Sequence, residues 1–204
     1  MPGAAEVEQH WLRARMRAIG IPLPSLLAPL FRQLTLGVYV IGVVHGNRRD
    51  AFTASSVMQI SYSPLLVLLG VHPDHAAYRL LRGGSVVSVN VLKQDQLDVA
   101  RHFGPHPGAH VDKLARFAWH RGPGGAPILD DALAFVECET AGEWPAGDHR
   151  IILGEAINGG LLDATAMPLL YSATGDMDGS SALYPPAFSR TAQSEASGDP
   201  TNAP

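Results

Sequence analysis

The stretch that decides the fold runs from residue 51 to residue 71 and reads AFTASSVMQISYSPLLVLLGV. A loop of small and hydroxyl-bearing residues, Thr53 to Ser56, leads from one apolar segment toward a second, and a Ser63-Pro64 turn lies between them. We predict that residues 52–61 and 65–72 form neighbouring strands, the second apolar on both faces as in a strand buried on both sides. The loop leaves polar groups beside a sheet surface, which suits a flat, hydrogen-bonding ligand.

Segments on both sides of this stretch show the patterns of further strands and of a few helices. Strands are predicted over residues 37–45, 86–92, 132–140, 149–157 and 169–172, with a hairpin turn at Gly46-Asn47. Helices are predicted over residues 7–19, 25–34, 75–81 and 93–103, with Asp74 capping the third. Residues 104–125 are rich in Pro, Gly and His, which predicts a long loop with a short helix near 112–117.

Several short motifs follow one another in a definite order along residues 31–175. They are Thr53-Ala54-Ser55-Ser56, Ser88 to Leu92, Gln96 to Phe103, Trp119, Ala134 to Cys138, Gly147-Asp148-His149, Gly154-Glu155 and Pro168 to Tyr171. In this order the chain resembles the short-chain flavin reductase family, the flavin reductase components of two-component flavin-dependent monooxygenases. The resemblance implies a mainly β fold, an antiparallel Greek-key FMN-binding split β-barrel with a few peripheral α-helices.

We divide the chain into three parts. The helical patterns predict an N-terminal helical extension over residues 1–30, the resemblance implies a flavin reductase-like split-barrel domain over residues 31–175, and the composition of residues 176–204 predicts a flexible C-terminal tail. Residues 189–204 are expected to be disordered, because their composition buries little apolar area. The chain has 204 residues, of which 46% are hydrophobic and 17% are charged. This composition predicts a large core or a buried subunit interface, and a homodimer is consistent with both.

Composition also excludes several classes of function. A net charge of −4 without a Lys/Arg cluster argues against nucleic acid as a partner. The longest apolar runs, 38–44 and 65–71, are too short to span a membrane, and residues 1–20 lack the apolar core of a signal peptide, so we expect a cytoplasmic protein. Cys138 is the only cysteine, which excludes an internal disulfide and a thiolate metal cage.

Nine histidines raise the question of a metal site. His102, His106 and His110 follow one another at four-residue spacing, which aligns ligands only on a helix. Two prolines and a glycine between them interrupt any helix there, so we predict that no metal is bound.

The activity that the resemblance implies is NAD(P)H-dependent reduction of free flavin. Hydride passes from nicotinamide C4 to flavin N5, and the reduced flavin goes to a separate flavin-dependent monooxygenase. The cofactors do the chemistry while the protein orients two rings, which agrees with a chain that shows no Ser-His-Asp or paired-carboxylate signature. The choices between FMN and FAD and between NADH and NADPH stay open, with Arg116, Arg121 and Arg150 eligible to bind a 2′-phosphate.

His149 is the candidate catalytic residue, because it resembles the histidine of the family's Gly-Asp-His motif, which lies where the nicotinamide folds over the flavin. An imidazole can stack on nicotinamide or hydrogen-bond its carboxamide. The cofactor-binding candidates are Thr53, Ala54, Ser55, Ser56, His72, His75, Asn90, Lys93, Phe103 and Tyr171. For Asn90, a ligand contact and a purely backbone-bonding role are both open.

The chain departs from the family at residues 72–75, His-Pro-Asp-His, where many members carry an asparagine and hydroxyl residues that hold the flavin phosphate. The phosphate ligands therefore stay open among the predicted helix N-terminus, His75, Arg79 and Lys93.

Two other functions on the same barrel stay open. One is a non-catalytic flavin-binding or electron-carrier protein in which the flavin remains bound. The other is an oxidase of the pyridoxamine-phosphate oxidase type, which needs a further basic substrate site. This sequence shows no basic cluster to supply one.

Overall fold

The computed structural model describes residues 27–81, 83–104, 112–185 and 188. The predicted helix over residues 7–19 and the predicted disorder of residues 189–204 lie outside these ranges. The chain forms two compact units, one of residues 32–178 and one of residues 1–31 together with 179–204. Within the smaller unit, the ring of Phe31 stacks on that of Tyr184, with the ring centroids 5.6 Å apart.

Nine β-strands dominate the described residues, which confirms the mainly β prediction. They are β1 (Tyr39–His45), β2 (Arg48–Ala54), β3 (Val57–Tyr62), β4 (Leu65–Val71), β5 (Val86–Val91), β6 (Trp119–Arg121), β7 (Pro127–Leu129), β8 (Ala134–Ala146) and β9 (His149–Leu161). Seven of them form one sheet in the order β2-β1-β5-β8-β9-β4-β3, and β6 pairs with β7. Every pairing is antiparallel.

The predicted strand over residues 52–61 is in fact two strands, so that prediction was wrong. β2 ends at Ala54 and β3 begins at Val57, and the two strands are at the opposite ends of the sheet order. Three residue steps span at most about 11 Å, so the sheet must curl until its two edge strands come together. The connection is held by hydrogen bonds from Val57 N to Ser55 O, at 2.9 Å, and from Gly70 N to Ser56 O, at 2.8 Å.

In the described ranges, helical structure is shorter than the sequence predicts. The α-helices are α1 (Leu27–Phe31) and α2 (Leu97–Phe103), and 3₁₀ turns cover Ala76–Leu80, Lys113–Arg116, Tyr171–Thr174 and Ser180–Leu183. The strand predicted over residues 169–172 is not formed: the 3₁₀ turn at Tyr171–Thr174 replaces its second half, and within that range only the isolated bridge Gly37↔Leu170 remains. Asp74 does not cap a helix, because His75 occupies the cap position. Among the described helices, none is long and apolar enough to cross a membrane.

Two hydrophobic clusters lie on the two faces of the sheet, because alternate residues of a strand point to opposite sides. Ile41 belongs to the cluster inside the barrel, whereas its neighbour Val40 belongs to the cluster outside. The inner cluster is formed by Ile41, Val43, Phe52, Leu69, Val71, Ala77, Leu80, Leu81, Val87, Val89, Cys138 and Ile152. The outer cluster packs α2 and the 113–116 turn on the barrel, and Phe103 lies within it.

β6 of the β6–β7 hairpin lies inside the stretch over residues 104–125 that was predicted to be a loop, and β7 follows that stretch. Its turn is fastened to the barrel by Glu137, a fully buried residue of β8. The carboxylate of Glu137 accepts hydrogen bonds from Gly124 N at 3.1 Å, from Ala126 N at 3.3 Å and from Asn158 Nδ2 at 3.2 Å. A buried carboxylate needs such donors, so Glu137 fixes the path of this turn.

Candidate active site

The connection between β2 and β3 consists of Ser55 and Ser56, and we name it the serine connection. It lies together with two histidines on one face of the sheet, where β4 ends and β9 begins. Ser56 lies beside Gly70, where an added Cβ would meet the Cβ of Ser56 at 3.0 Å. His72 follows Gly70 by two residues, and its ring meets the ring of His149 edge to face, with centroids 5.4 Å apart. These four residues, Ser56, Gly70, His72 and His149, define the histidine face.

The two imidazoles offer different groups, because each uses its Nδ1 in a different hydrogen bond. Asp74 N donates to His72 Nδ1 at 3.2 Å, so a neutral His72 carries its proton on Nε2. His149 Nδ1 lies 2.7 Å from Asp148 Oδ1, so a neutral His149 carries its proton on Nδ1 and has a lone pair on Nε2. The face therefore presents one N–H donor and one acceptor on adjacent rings.

Two titratable groups near these rings, Asp148 and His75, have shifted pKa values. The hydrogen bond from His149 holds the pKa of Asp148 below its usual range, so this carboxylate stays ionised. The backbone N–H of His75 donates to His72 O at 3.0 Å. The His75 ring packs on the Phe52 ring, with the ring centroids 4.7 Å apart. Burial lowers the pKa of His75, so its imidazole favours the neutral form. A ligand phosphate would meet His75 as a neutral N–H group rather than a cation.

A second polar cluster lies beside His149 along β9, on the side of the sheet opposite to the histidine face, and was not predicted as a unit. Tyr78 Oη donates to Glu143 Oε1 at 2.5 Å, and Arg150 Nε donates to the same oxygen at 2.6 Å. The Tyr78 hydrogen bond lowers the pKa of Glu143 and raises that of Tyr78 itself. Arg150 was considered only as a 2′-phosphate ligand, and the structure engages it with Glu143. Since 65 residues separate Tyr78 from Glu143, no local pattern could reveal the cluster.

Asn90 lies in the interior, away from the histidine face. It is 0% exposed, and its Nδ2 donates to Val40 O at 3.0 Å and to Ser88 Oγ at 3.1 Å. Its Oδ1 accepts from Leu129 N at 2.8 Å, which attaches β7 to the barrel. This geometry favours the backbone-bonding alternative over a ligand contact.

Lys93, Phe103 and Tyr171 are also engaged away from the histidine face. Lys93 Nζ lies 2.6 Å from Asp131 Oδ1, and this hydrogen bond raises the pKa of Lys93. Phe103 is fully buried in the outer cluster. Tyr171 Oη donates to Asp178 Oδ2 at 2.9 Å. The structure therefore gives each of these predicted cofactor ligands a partner within the protein.

The predicted serine loop is divided between two sides of the sheet. Thr53 Oγ1 donates to Ala100 O of α2 at 2.7 Å, and Ala54 packs against the inner cluster. In contrast, the hydroxyls of Ser55 and Ser56 form no hydrogen bond with another residue in the described ranges. The second half of the loop is thus the half that remains available to a ligand.

Of the three histidines considered for a metal site, the structure describes His102. His102 Nε2 lies 2.9 Å from Lys113 O, and His106 and His110 lie outside the described residues. Within the described ranges, no group of three or more His, Cys, Asp or Glu side chains is placed to hold a metal. Burial raises the pKa of the Cys138 thiol to about 11, so this cysteine is inert.

Residues 31–180 match the family described as Flavin reductase like domain. The chain belongs to this family. An NADH-dependent FAD reductase of Streptomyces globisporus is 36% identical over 135 residues, which are 64% of this chain and 72% of that protein. The split-barrel prediction is confirmed by the solved relatives below.

The NADH:FAD oxidoreductase SgcE6 of Streptomyces globisporus C-1027, solved with NAD and FAD fragments, is 33% identical and has a TM-score of 0.66. The match covers 72% of this chain and 87% of that chain. BorF, the flavin reductase component of a bacterial two-component tryptophan halogenase, is 30% identical with a TM-score of 0.61. That match covers 71% of this chain and 96% of BorF.

Other relatives are much longer than this chain. Diflavin flavoprotein A 1 of Synechocystis sp. is 30% identical over 150 residues, 73% of this chain. The match spans 26% of that protein. The chain therefore spans about a quarter of the length of the diflavin relatives that it matches.

Proposed function

We propose that this chain is an NAD(P)H:flavin oxidoreductase that reduces free FMN or FAD by hydride transfer from nicotinamide C4 to flavin N5. One observation carries the proposal: His72 and His149 meet edge to face beside the serine connection, in a chain that belongs to the flavin reductase like domain family. The rings of both cofactors would lie on the histidine face.

The residues of this face fit a flat heteroaromatic ring. Gly70 has no side chain, so a ring can approach the strand between Ser56 and His72. The hydroxyls of Ser55 and Ser56 are available to the polar edge of a flavin. A bound flavin supplies the hydride acceptor at N5, and donors near N1 and O2 stabilise the negative charge that reduction leaves.

His72 and His149 would orient the nicotinamide through its carboxamide. A carboxamide has one carbonyl acceptor and one NH₂ donor, which match the Nε2 donor of His72 and the Nε2 acceptor of His149. Asp148 fixes the protonated nitrogen of His149 by accepting from Nδ1. Both histidines act by positioning, which lowers the entropy cost of bringing two rings together, and neither needs to transfer a proton.

We further propose that the reduced flavin leaves this chain for a separate flavin-dependent monooxygenase in the cytoplasm. In the single chain, the side chains of His72 and His149 are each 43% exposed, so the histidine face is open there and suits a flavin that binds and departs. BorF, a similar chain, is the reductase of a two-component halogenase. The same open face makes the permanently bound flavin of a carrier protein the less favoured alternative.

A homodimer is also proposed, with a second copy covering an apolar face of the sheet. Met58 pairs with Leu68 across β3 and β4, and Leu68 pairs with Leu153 across β4 and β9. On the same face, Met58 is 58% exposed, and Trp144, which pairs with Ile151 two residues before Leu153, is 51% exposed. An apolar patch of this kind marks an interface, and it accounts for a strand β4 that is apolar on both faces.

The proposed activity is tested by measuring anaerobic NADH oxidation with and without added FMN, FAD or riboflavin. We expect turnover that requires free flavin, and a loss of about tenfold in kcat/KM for NADH in His149→Ala. His120→Ala is the matched control, because His120 is also exposed and its Nδ1 lies 2.6 Å from an aspartate, Asp130, but it lies on β6. No turnover by a protein that retains a tightly bound flavin would support the carrier alternative instead.

A further inference from the structure

We propose that Glu143 is a positioning residue that holds His149 in register with His72. The inference rests on the proposed function, because its consequence is the binding of nicotinamide. It is carried by the three residues that meet at one oxygen of Glu143, which we name the Glu143 clamp: Tyr78, Glu143 and Arg150.

The clamp acts from the side of the sheet opposite to the histidine face. Arg150 directly follows His149 in β9, so the two side chains leave the strand on opposite sides. Arg150 Nε donates to Glu143 Oε1 at 2.6 Å, across the β8–β9 hairpin. Glu143 thereby fixes the start of β9 at the residue next to His149.

The clamp also reaches the segment that carries His72. The pairing of β4 with β9 ends at Val71–Arg150, so His72 lies one residue beyond the last pair. Its position depends on the following turn, in which His75 N donates to His72 O at 3.0 Å and Tyr78 N donates to His75 O at 2.9 Å. Tyr78 Oη then donates to Glu143. The clamp and this turn therefore join the backbones of His72 and His149, whose rings meet on the other side.

The strength of the clamp comes from the charge on Glu143. Hydrogen bonds from Tyr78 and Arg150 to one carboxylate oxygen are charge-assisted, and such bonds are roughly twice as strong as neutral ones. The pKa of Glu143 lies below the usual carboxyl range because of these donors, Tyr78 first. The carboxylate therefore stays ionised, and Glu143→Gln removes the charge while it keeps the size of the side chain.

The kinetic test uses the full chain at saturating flavin and compares Glu143→Gln and Tyr78→Phe with the parent. We expect KM for NADH to rise about fivefold to tenfold in Glu143→Gln, with KM for flavin changed less than about twofold, because the serine connection is not part of the clamp. In the double variant, KM for NADH should be no higher than in Glu143→Gln alone, because both substitutions disrupt the same Glu143 clamp. Glu139→Gln is the matched control, an exposed glutamate on the same strand.

A readout without catalysis separates this inference from the proposed function. In NMR spectra of the imidazole Hε1 protons, Glu143→Gln should shift the His72 and His149 signals and leave His120 in place. If the parent chain oxidised no NADH with any flavin, the proposed function would fail, and these spectra alone would decide the role of the clamp. Unchanged His72 and His149 signals, or equal rises in KM for NADH and flavin, would overturn the inference.

Discussion

At the scale of single residues, the proposed recognition of nicotinamide depends on which ring nitrogen carries a proton in His72 and in His149. Asp74 N donates to Nδ1 of His72, whereas Nδ1 of His149 lies against the Asp148 carboxylate. Two chemically identical side chains thus acquire opposite roles at Nε2, one a donor and the other an acceptor. Under the proposed function, this difference would allow the pair to recognise a carboxamide in one orientation.

Replacement of the nicotinamide carboxamide tests this assignment. The reduced 3-acetylpyridine analogue of NADH keeps the carbonyl oxygen but lacks the NH₂ group that His149 would accept from. We therefore expect His149→Ala to lower kcat/KM by about tenfold with NADH but by less than about twofold with the analogue. His72→Ala should lower kcat/KM for both by similar factors, because the carbonyl oxygen is common to them. Equal effects of His149→Ala on the two substrates would rule out the proposed hydrogen bond.

His75 gives a pH dependence of stability. Burial lowers its folded-state pKa, with the nearby Lys113 adding to the shift and Asp50 opposing it. The unfolded chain therefore binds the proton more readily, and the free energy of unfolding falls as pH drops from about 6.5, the ordinary histidine value, toward the lowered pKa. Below the lowered pKa, His75 causes no further fall in the free energy of unfolding. In His75→Gln, the fall in the free energy of unfolding that comes from His75 should vanish. Urea unfolding at a series of pH values measures this difference. Parallel pH profiles for the parent and the variant would contradict the prediction.

The site could be predicted from the sequence only in part, and single residues show why. Ser55, Ser56 and His149 lie in motifs of the family, and His72 lies in the segment where the chain departs from it. The structure brings these residues to one end of β4 and β9. Asn90 was named from the same resemblance, but a strand pattern does not reveal that β7 covers it. The Glu143 clamp was missed because Tyr78 lies 65 residues from Glu143 in the sequence and reaches it only once β4 has paired with β9.

At the scale of elements, the β6–β7 hairpin depends on a buried carboxylate. Glu137 accepts three hydrogen bonds, two of them from backbone N–H groups of the hairpin turn. Glu137→Gln would turn an NH₂ group toward donors and leave at least one of them unpaired. We expect the free energy of unfolding to fall by about 2–3 kcal/mol and the Gly124 and Ala126 amides to exchange faster.

The matched control for this prediction is Glu139→Gln. Glu139 lies two residues further along β8 and is exposed, and surface changes of this kind usually alter stability by less than about 0.5 kcal/mol. Urea unfolding and amide hydrogen exchange measure both effects. A loss in Glu137→Gln no larger than in the control would show that the carboxylate does not hold the hairpin.

Strands were predictable where a run of β-branched and apolar residues coincides with a single strand, and not where the pairing changes partner. β1, β4 and β5 lie within their predicted ranges, because β-branched and apolar residues mark them. The 52–61 segment keeps an extended pattern across Ser55-Ser56, so the change of partner from β1 to β4 leaves no local signal. β8 and β9 extend beyond their predicted ranges, because their pairing with each other continues to Ala146 and Leu161.

At the scale of the whole molecule, the homodimer is testable through a residue of the apolar face. Met58 is 58% exposed and pairs with Leu68 of β4. Met58→Asp should weaken association by about 30-fold, since burying an unpaired carboxylate at an interface costs about 2 kcal/mol or more. Light scattering over a range of concentrations measures this, with Asn47→Asp, at the exposed β1–β2 turn, as control. A parent chain that stays monomeric at every concentration would contradict the dimer.

The central claim is that the chain itself brings nicotinamide C4 to flavin N5. The most direct measurement mixes the purified chain anaerobically with NADH and free flavin and follows the bleaching of oxidised flavin, with hydrogen or deuterium at the transferring C4 position. The account predicts bleaching that requires the chain, slows with deuterium and slows further in His149→Ala. Bleaching at the same rate without the chain, or none with it, would contradict the account.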